Sequence, residues 1–438
     1  MKAVQLIDKI SHIDTYKRFG KITRAAGLLI ESRGPIASIG DVCHIYLQKE
    51  HRKVLAEVVG FQDEHVLLMP YNDAAQISPG CLVETTGQPL QIKVSRALIG
   101  HVCDSLGRPL DGRLQQTPMP AYPTSRQPPD PMTRPRILEP MATGIRSIDG
   151  LLTVGKGQRM GIFAGSGVGK STLLGMIARH TSADLNVIAL IGERGREVRD
   201  FIERDLGSEG LKRSIVIVAT SDQPALMRIK GALTATSIAE YFRSEGQNVL
   251  LMIDSLTRVA MAQREIGLAA GEPPTTKGYP PSVFAMLPQL LERTGTSVSG
   301  SITAFYTVLV DGGDFDEPIS DAARGILDGH IILDRELAQK GQYPAINILQ
   351  SVSRVMNDIV SQDHLDAAET LRNYLAQYRE SEDLINIGAY KPGSSKEIDD
   401  AIRYHPVIQS YLKQSRNETP DREEAINQLI RHFGKGAG

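Results

Sequence analysis

The chain has 438 residues, 41% of them hydrophobic and 23% charged, an ordinary globular composition in a length that calls for two or three domains. Lys and Arg number 49 against 51 acidic residues, and a net charge of −2 leaves no surplus to neutralise a nucleic-acid backbone. No apolar run approaches the roughly 20 residues that cross a bilayer, and no signal-peptide pattern opens the chain, so a soluble protein is expected. Cys43, Cys81 and Cys103 show neither CxxC nor metal-ligand spacing and read as reduced core residues, and no HExxH or similar histidine pair points to structural zinc.

Residues 1–20 place Leu6, Ile7, Ile10 and Ile13 near one helical face, as in a helix packed on its own domain or an arm that docks a partner helix or a membrane surface. Residues 21–114 differ: "VCHIYL", "KVLAEVVGF", "HVLLMPY" and "QIKVS" are short apolar or alternating runs cut by Gly and Pro, the pattern of a small all-β barrel or sandwich. Residues 115–136 read as a linker, because 118–135 hold seven of the 24 prolines, which suit neither a sheet nor a helix. Over 137–360, the runs "RMGIFA", "NVIALIG", "SIVIVAT", "NVLLMIDS" and "SITAFYTVLV" alternate with helix-compatible segments. That predicts a parallel sheet covered on both faces. Residues 361–438 turn polar and helical, with Ala368, Leu371, Leu375 and Tyr378 at helical spacing, and predict a small helical domain.

The stretch "GIFAGSGVGKST", Gly161 to Thr172, lies between a predicted strand and a predicted helix. Gly165, Gly167 and Gly169, with Ser166, Val168 and Thr172 between and after them, let a backbone wrap around phosphate oxygens at the positive end of a helix. Lys170 would reach the β- and γ-phosphates of ATP, and Ser171 would ligate Mg²⁺. Ala164 stands where the usual pattern opens with Gly, a small loss if its φ stays negative. A chance Gly-rich turn is the bland alternative. Asp254 ends the apolar run "NVLLMIDS", where a second metal-side carboxylate belongs. Glu193 ends another run, with Glu197 one helical turn on, and could align the attacking water. The competing reading makes the two glutamates exposed partners of the nearby arginines.

With these motifs, "LIGHVCDSLGRPLDG", "IGERGREVRDFIE", "DSLTRVAMAQREIGLAAGEPPTTKGYPPSVF", "LDGHIILDRELAQKGQYPAI" and "SVSRVM" carry a resemblance over nearly the whole chain. The chain resembles the hexameric ATPases related to the catalytic subunit of rotary ATP synthases, and within them the type III secretion ATPases. The resemblance implies a multidomain α/β fold: an N-terminal β-barrel, a central RecA-like P-loop parallel sheet covered by helices, and a small C-terminal helical domain. It makes Glu193 the carboxylate that orients the hydrolytic water. It places Arg194 and Arg258 near the γ-phosphate and makes Arg354 an arginine finger supplied in trans; a surface salt-bridge arginine is the alternative for Arg354. Tyr343 would stack on adenine, its alternative being an ordinary core tyrosine.

By the same resemblance the chain forms a homohexamer with ATP and Mg²⁺ as ligands. A regulator or stator protein would dock at the N-terminal arm and a central-stalk-like protein near residues 269–282. The export gate, chaperones and export substrates would be further partners. The location implied is cytoplasmic, peripheral to the inner face of the cell membrane at the flagellar base. Flagellar export is the expectation, with a virulence-type injectisome as the alternative. An RNA translocase is disfavoured by charge and by 5% aromatic content, a rotary synthase subunit by "GREVRD", and a nucleotide-dependent scaffold without turnover by Glu193.

Overall fold

The computed structural model describes residues 17–48, 52–72, 75–110, 112, 119–310 and 317–434. The predicted arm at 1–20 lies outside the described residues except for 17–20, and Phe19 already opens the first strand. Six antiparallel strands, Phe19–Ala26, Leu29–Arg33, Asp41–Tyr46, Lys53–Gln62, His65–Pro70 and Leu82–Pro89, close into a barrel. Period-2 alternation turns Cys43 and Ile45, Ala56 and Val58, and Val66 and Leu68 inward, where with Cys81 and Val83 they form the barrel core. Closure removes the sheet edges that a six-stranded open sheet would expose.

The barrel ends earlier than the predicted boundary at 114. Strand Val102–Asp104 leaves it and pairs in parallel with Ser214–Ala219 at the edge of the central sheet. The Pro-rich segment is also not wholly irregular. Ala121–Pro123 pairs with Gln91–Lys93 in a two-stranded sheet, a place open to proline because one edge of such a pair needs no donor.

The central sheet runs in the order Val352–Ser353, Gly329–Leu333, Arg159–Ala164, Ser301–Leu309, Asn248–Asp254, Leu185–Ile191, Ser214–Ala219 and Val102–Asp104, with Gly295–Thr296 added beside Ser301–Leu309. The five apolar runs are its central strands and pair in parallel. Leu185–Ile191 and Ser214–Ala219 are buried at every residue, because helices cover both faces. Alternation divides the strands between two cores. Ile188, Leu190 and Met252 face helix Lys170–His180, whereas Val187, Ala189, Leu251 and Ile253 face helices Ala225–Ser244, Leu256–Ala269 and Pro281–Leu291.

The C-terminal helices Gln362–Asn386, Lys396–Leu412 and Arg422–Phe433 follow the predicted spacing, with Ala368 and Leu371 buried. They share one core with the face of the sheet that carries helix Lys170–His180, through Leu371, Ile408, Leu412, Leu429 and Phe433. Truncating one such buried leucine to alanine costs about 2–5 kcal/mol. The helical region and the nucleotide core are therefore mechanically joined. No described helix is long and apolar enough to cross a membrane.

Candidate functional site

Strand Arg159–Ala164 delivers the chain to the phosphate loop. Ala164 is still a strand residue, buried and paired between Leu309 and Leu333, so its methyl costs nothing where a glycine commonly stands. The loop then turns through Gly167 at φ 77° and Gly169 at φ 89°. Only glycine adopts that region without strain, and Gly169 in it starts helix Lys170–His180. No side chain caps this helix, whereas Ser255, Ser395 and Asp421 cap theirs. Its first N–H groups are left to an anion, at the positive end of the dipole.

These groups face a cavity of about 770 Å³. Gly165, Ser166, Gly167, Gly169, Lys170, Ser171 and Thr172 line it, with Glu193, Arg194, Glu197 and Arg258 on the far wall. Val168 turns its side chain into the core, so its main chain alone remains for a ligand. Lys170 Nζ lies 2.6 Å from Asp254 Oδ1 and 3.2 Å from Glu193 Oε1. Three separate segments thus meet at one ammonium, because strands Asn248–Asp254 and Leu185–Ile191 end on the same side of the sheet as the loop. Burial works against the Lys170 charge, but Asp254 first and then Glu193 outweigh it and hold the pKa above the ordinary lysine value. Glu193 shifts upward too: burial and a hydrogen bond with Glu197 raise it against the pull of Lys170.

Gly192, at φ 72°, precedes Glu193 where an added Cβ would come 2.7 Å from Arg258 Cβ, so the arginine packs directly on the backbone. Arg258 Nε is buried with no hydrogen-bond partner among the described residues while the side chain borders the cavity, a donor that suits an anionic ligand. Arg194 is largely exposed at the rim, 4.0 Å from Glu197. The two glutamates are therefore not simply surface partners of the arginines: Glu193 is in the site, and Glu197 joins the rim to it.

Ser171, Glu193, Glu197 and Asp254 also border a small recess below the phosphate loop, offering hydroxyl and carboxylate oxygens. Tyr343 stands at the mouth, half exposed, and its ring lies 3.5 Å from where a Cβ on Gly169 would be. Arg354 is not brought to this cavity. It follows edge strand Val352–Ser353, donates from its main chain to Asp328 O at 3.0 Å, and reaches Arg324 O at 3.3 Å through Nη2.

Two contributors were not singled out from the sequence. Thr307, fully buried in strand Ser301–Leu309, donates to Asp254 Oδ1 at 2.7 Å; its only signal is a hydroxyl inside an apolar run. Thr257 accepts from Leu309 N at 2.9 Å and fixes the strand end beside the loop.

The barrel-domain model of the ATP synthase alpha/beta family matches residues 22–87, and the nucleotide-binding-domain model of that family matches 144–353. The model for the C-terminal domain of the type III secretion ATPase EscN matches 360–431. The flagellum-specific ATP synthase of Bacillus subtilis (strain 168) is 65% identical over 98% of each chain. The chain belongs to the type III secretion ATPases of this family. As a nucleotide-binding ATPase chain of that family, it is also 51% identical to the type 3 secretion system ATPase of Xanthomonas euvesicatoria, over 94% of this chain and 93% of that one. The assembled EscN of enteropathogenic E. coli superposes with a TM-score of 0.89 at 46% identity, covering 95% of the ATPase and 100% of EscN. EscN in complex with its central stalk EscO gives a TM-score of 0.87 over the same shares. The superposition on assembled EscN takes in the barrel, the parallel sheet and the helical region, since it covers 95% of this chain.

Proposed function

We propose that the ATPase hydrolyses ATP with Mg²⁺ as a homohexameric ring and drives the export of flagellar proteins through a type III apparatus. The observation that carries the reading is the convergence of Glu193 and Asp254 on the Lys170 ammonium beside the phosphate loop. The γ-phosphate of entering ATP competes with the two carboxylates for Lys170, and the uncapped helix and Arg258 take up further phosphate charge. Glu193, released from Lys170, accepts a hydrogen bond from the attacking water and aligns it.

Among the described residues no three His, Cys, Asp or Glu side chains form a metal cage. The oxygens of Ser171 and Asp254 at the recess suit Mg²⁺, which binds through few protein ligands and the nucleotide's own phosphates. When bound, the ion would neutralise charge on the phosphate oxygens.

Tyr343 stacks on adenine at the mouth. Arg354, on the sheet edge away from its own cavity, serves the neighbouring subunit, and assembled EscN supports a ring in which that is feasible. The segment 269–282, which runs from the end of helix Leu256–Ala269 through the short turn Thr276–Gly278 to the start of helix Pro281–Leu291, is the proposed contact for a central stalk, as EscO is for EscN. The N-terminal arm would take a regulator at the cytoplasmic face of the membrane, and the C-terminal helices would meet chaperones, export substrates and the export gate. The 65% identity to a flagellum-specific relative favours the flagellar over the injectisome system. Phosphate release from ATP by the wild type, absent in Lys170→Ala, tests the catalytic part; equal rates from both would contradict it.

A further inference from the structure

Arg354 stands where two strand ends meet. Strand Gly329–Leu333 pairs antiparallel with Val352–Ser353, Gly329 opposite Ser353, so Asp328 and Arg354 face each other one step beyond the ladder. The strands approach closely there: a Cβ on Gly329 would come 2.6 Å from Val352 O and 2.7 Å from Met160 Sδ. Arg354 N donates to Asp328 O at 3.0 Å. Among the described residues its exposed guanidinium makes one hydrogen bond, from Nη2 to Arg324 O at 3.3 Å. The main chain of Arg354 is fixed while its charged end reaches out from the sheet edge.

Asp328 is itself clamped. Its carboxylate accepts from Arg159 Nε on Oδ2 and from Arg159 Nη2 on Oδ1, both at 3.0 Å, a two-pronged fit of guanidinium to carboxylate. Oδ2 also accepts from Arg159 N at 3.0 Å, and Asp328 N donates back to Arg159 O at 2.9 Å. Glu292 Oε1 lies 2.6 Å from Arg159 Nη1 and holds the guanidinium as well. Gln158, fully buried, donates from Nε2 to Asp328 O at 3.1 Å and to Ser353 Oγ at 3.0 Å, while its Oε1 accepts from Gly155 N at 2.8 Å. The two residues that carry the Arg354 backbone, Asp328 across from it and Ser353 before it, are therefore pinned to Gln158 and Arg159. Arg159 opens the strand that ends at the phosphate loop.

We propose that Asp328 is a positioning residue for the arginine finger: clamped by Arg159 and Gln158, it sets where Arg354 projects into the neighbouring subunit's phosphate cavity. Asp328 touches no nucleotide and acts through the main chain of Arg354. A group that neutralises charge in the transition state has to be in place beforehand, and a misplacement of about 1 Å can cost about a hundredfold in rate. The inference rests on the in-trans role of Arg354 proposed above. It implies that loss of the Asp328 carboxylate harms the neighbour's site and spares the subunit's own.

The test is ring mixing. Asp328→Ala is assembled with Lys170→Ala and, separately, with Arg354→Ala, the mixed rings being demonstrated by native mass spectrometry. Alone, Asp328→Ala should lower kcat about tenfold to a hundredfold. Its KM and its affinity for a fluorescent ADP analogue should change little, because its own phosphate loop is intact. Mixed with Lys170→Ala, it should turn over faster than the average of the two proteins, since its loop then meets an intact, well-placed finger. Mixed with Arg354→Ala, it should never exceed that average, since neither protein offers a well-placed finger. Asp328→Asn, of the same shape, should sort in the same way with a smaller loss. A general structural defect would not sort between the two mixtures.

Unchanged kcat in both Asp328 variants, recovery with Arg354→Ala, or absence of recovery with Lys170→Ala would overturn the anchor while leaving the shared site standing. Failure of both variants to enter rings would make Asp328 a residue of assembly and overturn it as well. Failure of Arg354→Ala and Lys170→Ala to complement each other would bring down the shared site itself, and the anchor with it.

Discussion

Thr307 and Lys170 approach the same oxygen: the hydroxyl donates to Asp254 Oδ1 at 2.7 Å and the ammonium lies 2.6 Å from it. Asp254 therefore keeps one partner when Lys170 is drawn away by phosphate. A hydrogen bond to a charged group contributes about 1.5–3 kcal/mol, and about 1.4 kcal/mol corresponds to a factor of ten in rate. Thr307→Val, close in shape, should lower ATP turnover about tenfold or more and raise the Mg²⁺ concentration needed for half-maximal rate. Steady-state assays over a Mg²⁺ titration check both. An unchanged Mg²⁺ dependence would remove Thr307 from the positioning of Asp254.

Glu193 carries the next expectation. Glu193→Gln should leave nucleotide binding nearly intact while turnover falls at least ~10²-fold, the usual scale for a positioned acid–base group. Burial and the Glu197 hydrogen bond raise its carboxyl above the ordinary glutamate range. The acid limb of kcat/KM, which reports the free enzyme, should accordingly lie above that range. Glu197→Gln removes a contact that raises Glu193, so it should move the limb to lower pH. A limb that stays in place would assign it to another group.

Asp149 offers a separate test on the fold. It is buried at the start of the nucleotide core and accepts from Thr143 N and Oγ1 at 2.8 Å and from Gly144 N at 3.0 Å. Burial nevertheless pushes its carboxyl up to about 6 from 3.8. The folded value exceeds the unfolded one, so protonation favours the folded state. That contribution is fully present below the unfolded value and is lost as pH rises through about 6. An asparagine has no such titration. Between about pH 7 and about pH 5 the stability difference from Asp149→Asn should shift in favour of the wild type by about 1 kcal/mol. Denaturant unfolding of both proteins at the two pH values measures it, and a difference independent of pH would contradict the shift.

Legibility in the sequence followed contiguity. The phosphate loop was readable because its twelve residues are consecutive and two of its glycines, Gly167 and Gly169, sit where positive φ is required. Asp254 and Glu193 were readable because each terminates an apolar run, and parallel strands bring such ends together. Ala164 ends the strand that leads into the loop. The barrel boundary was not readable: Val102–Asp104 has three residues, too few to show periodicity, and only its pairing with Ser214–Ala219 assigns it to the central sheet. Nor were Thr307–Asp254 and Arg159–Asp328, whose members are 53 and 169 residues apart and carry no local signature. The sharing of one core by the C-terminal helices and the sheet arises in the same way, from packing between elements distant in the chain.

The central claim is that neighbouring subunits complete each site, one giving Lys170, Glu193 and Asp254 and the other Arg354. Removing a finger costs about 10³–10⁵ in rate by analogy with in-trans arginines. Arg354→Ala and Lys170→Ala should each be nearly inactive alone. Their mixture should regain turnover in proportion to interfaces that pair an intact phosphate loop with an intact finger. The decisive measurement is ATP turnover across mixing ratios of the two inactive proteins, assembled together. A bell-shaped recovery peaking at intermediate ratio is predicted; no recovery at any ratio, with mixed rings physically demonstrated, would contradict the shared site.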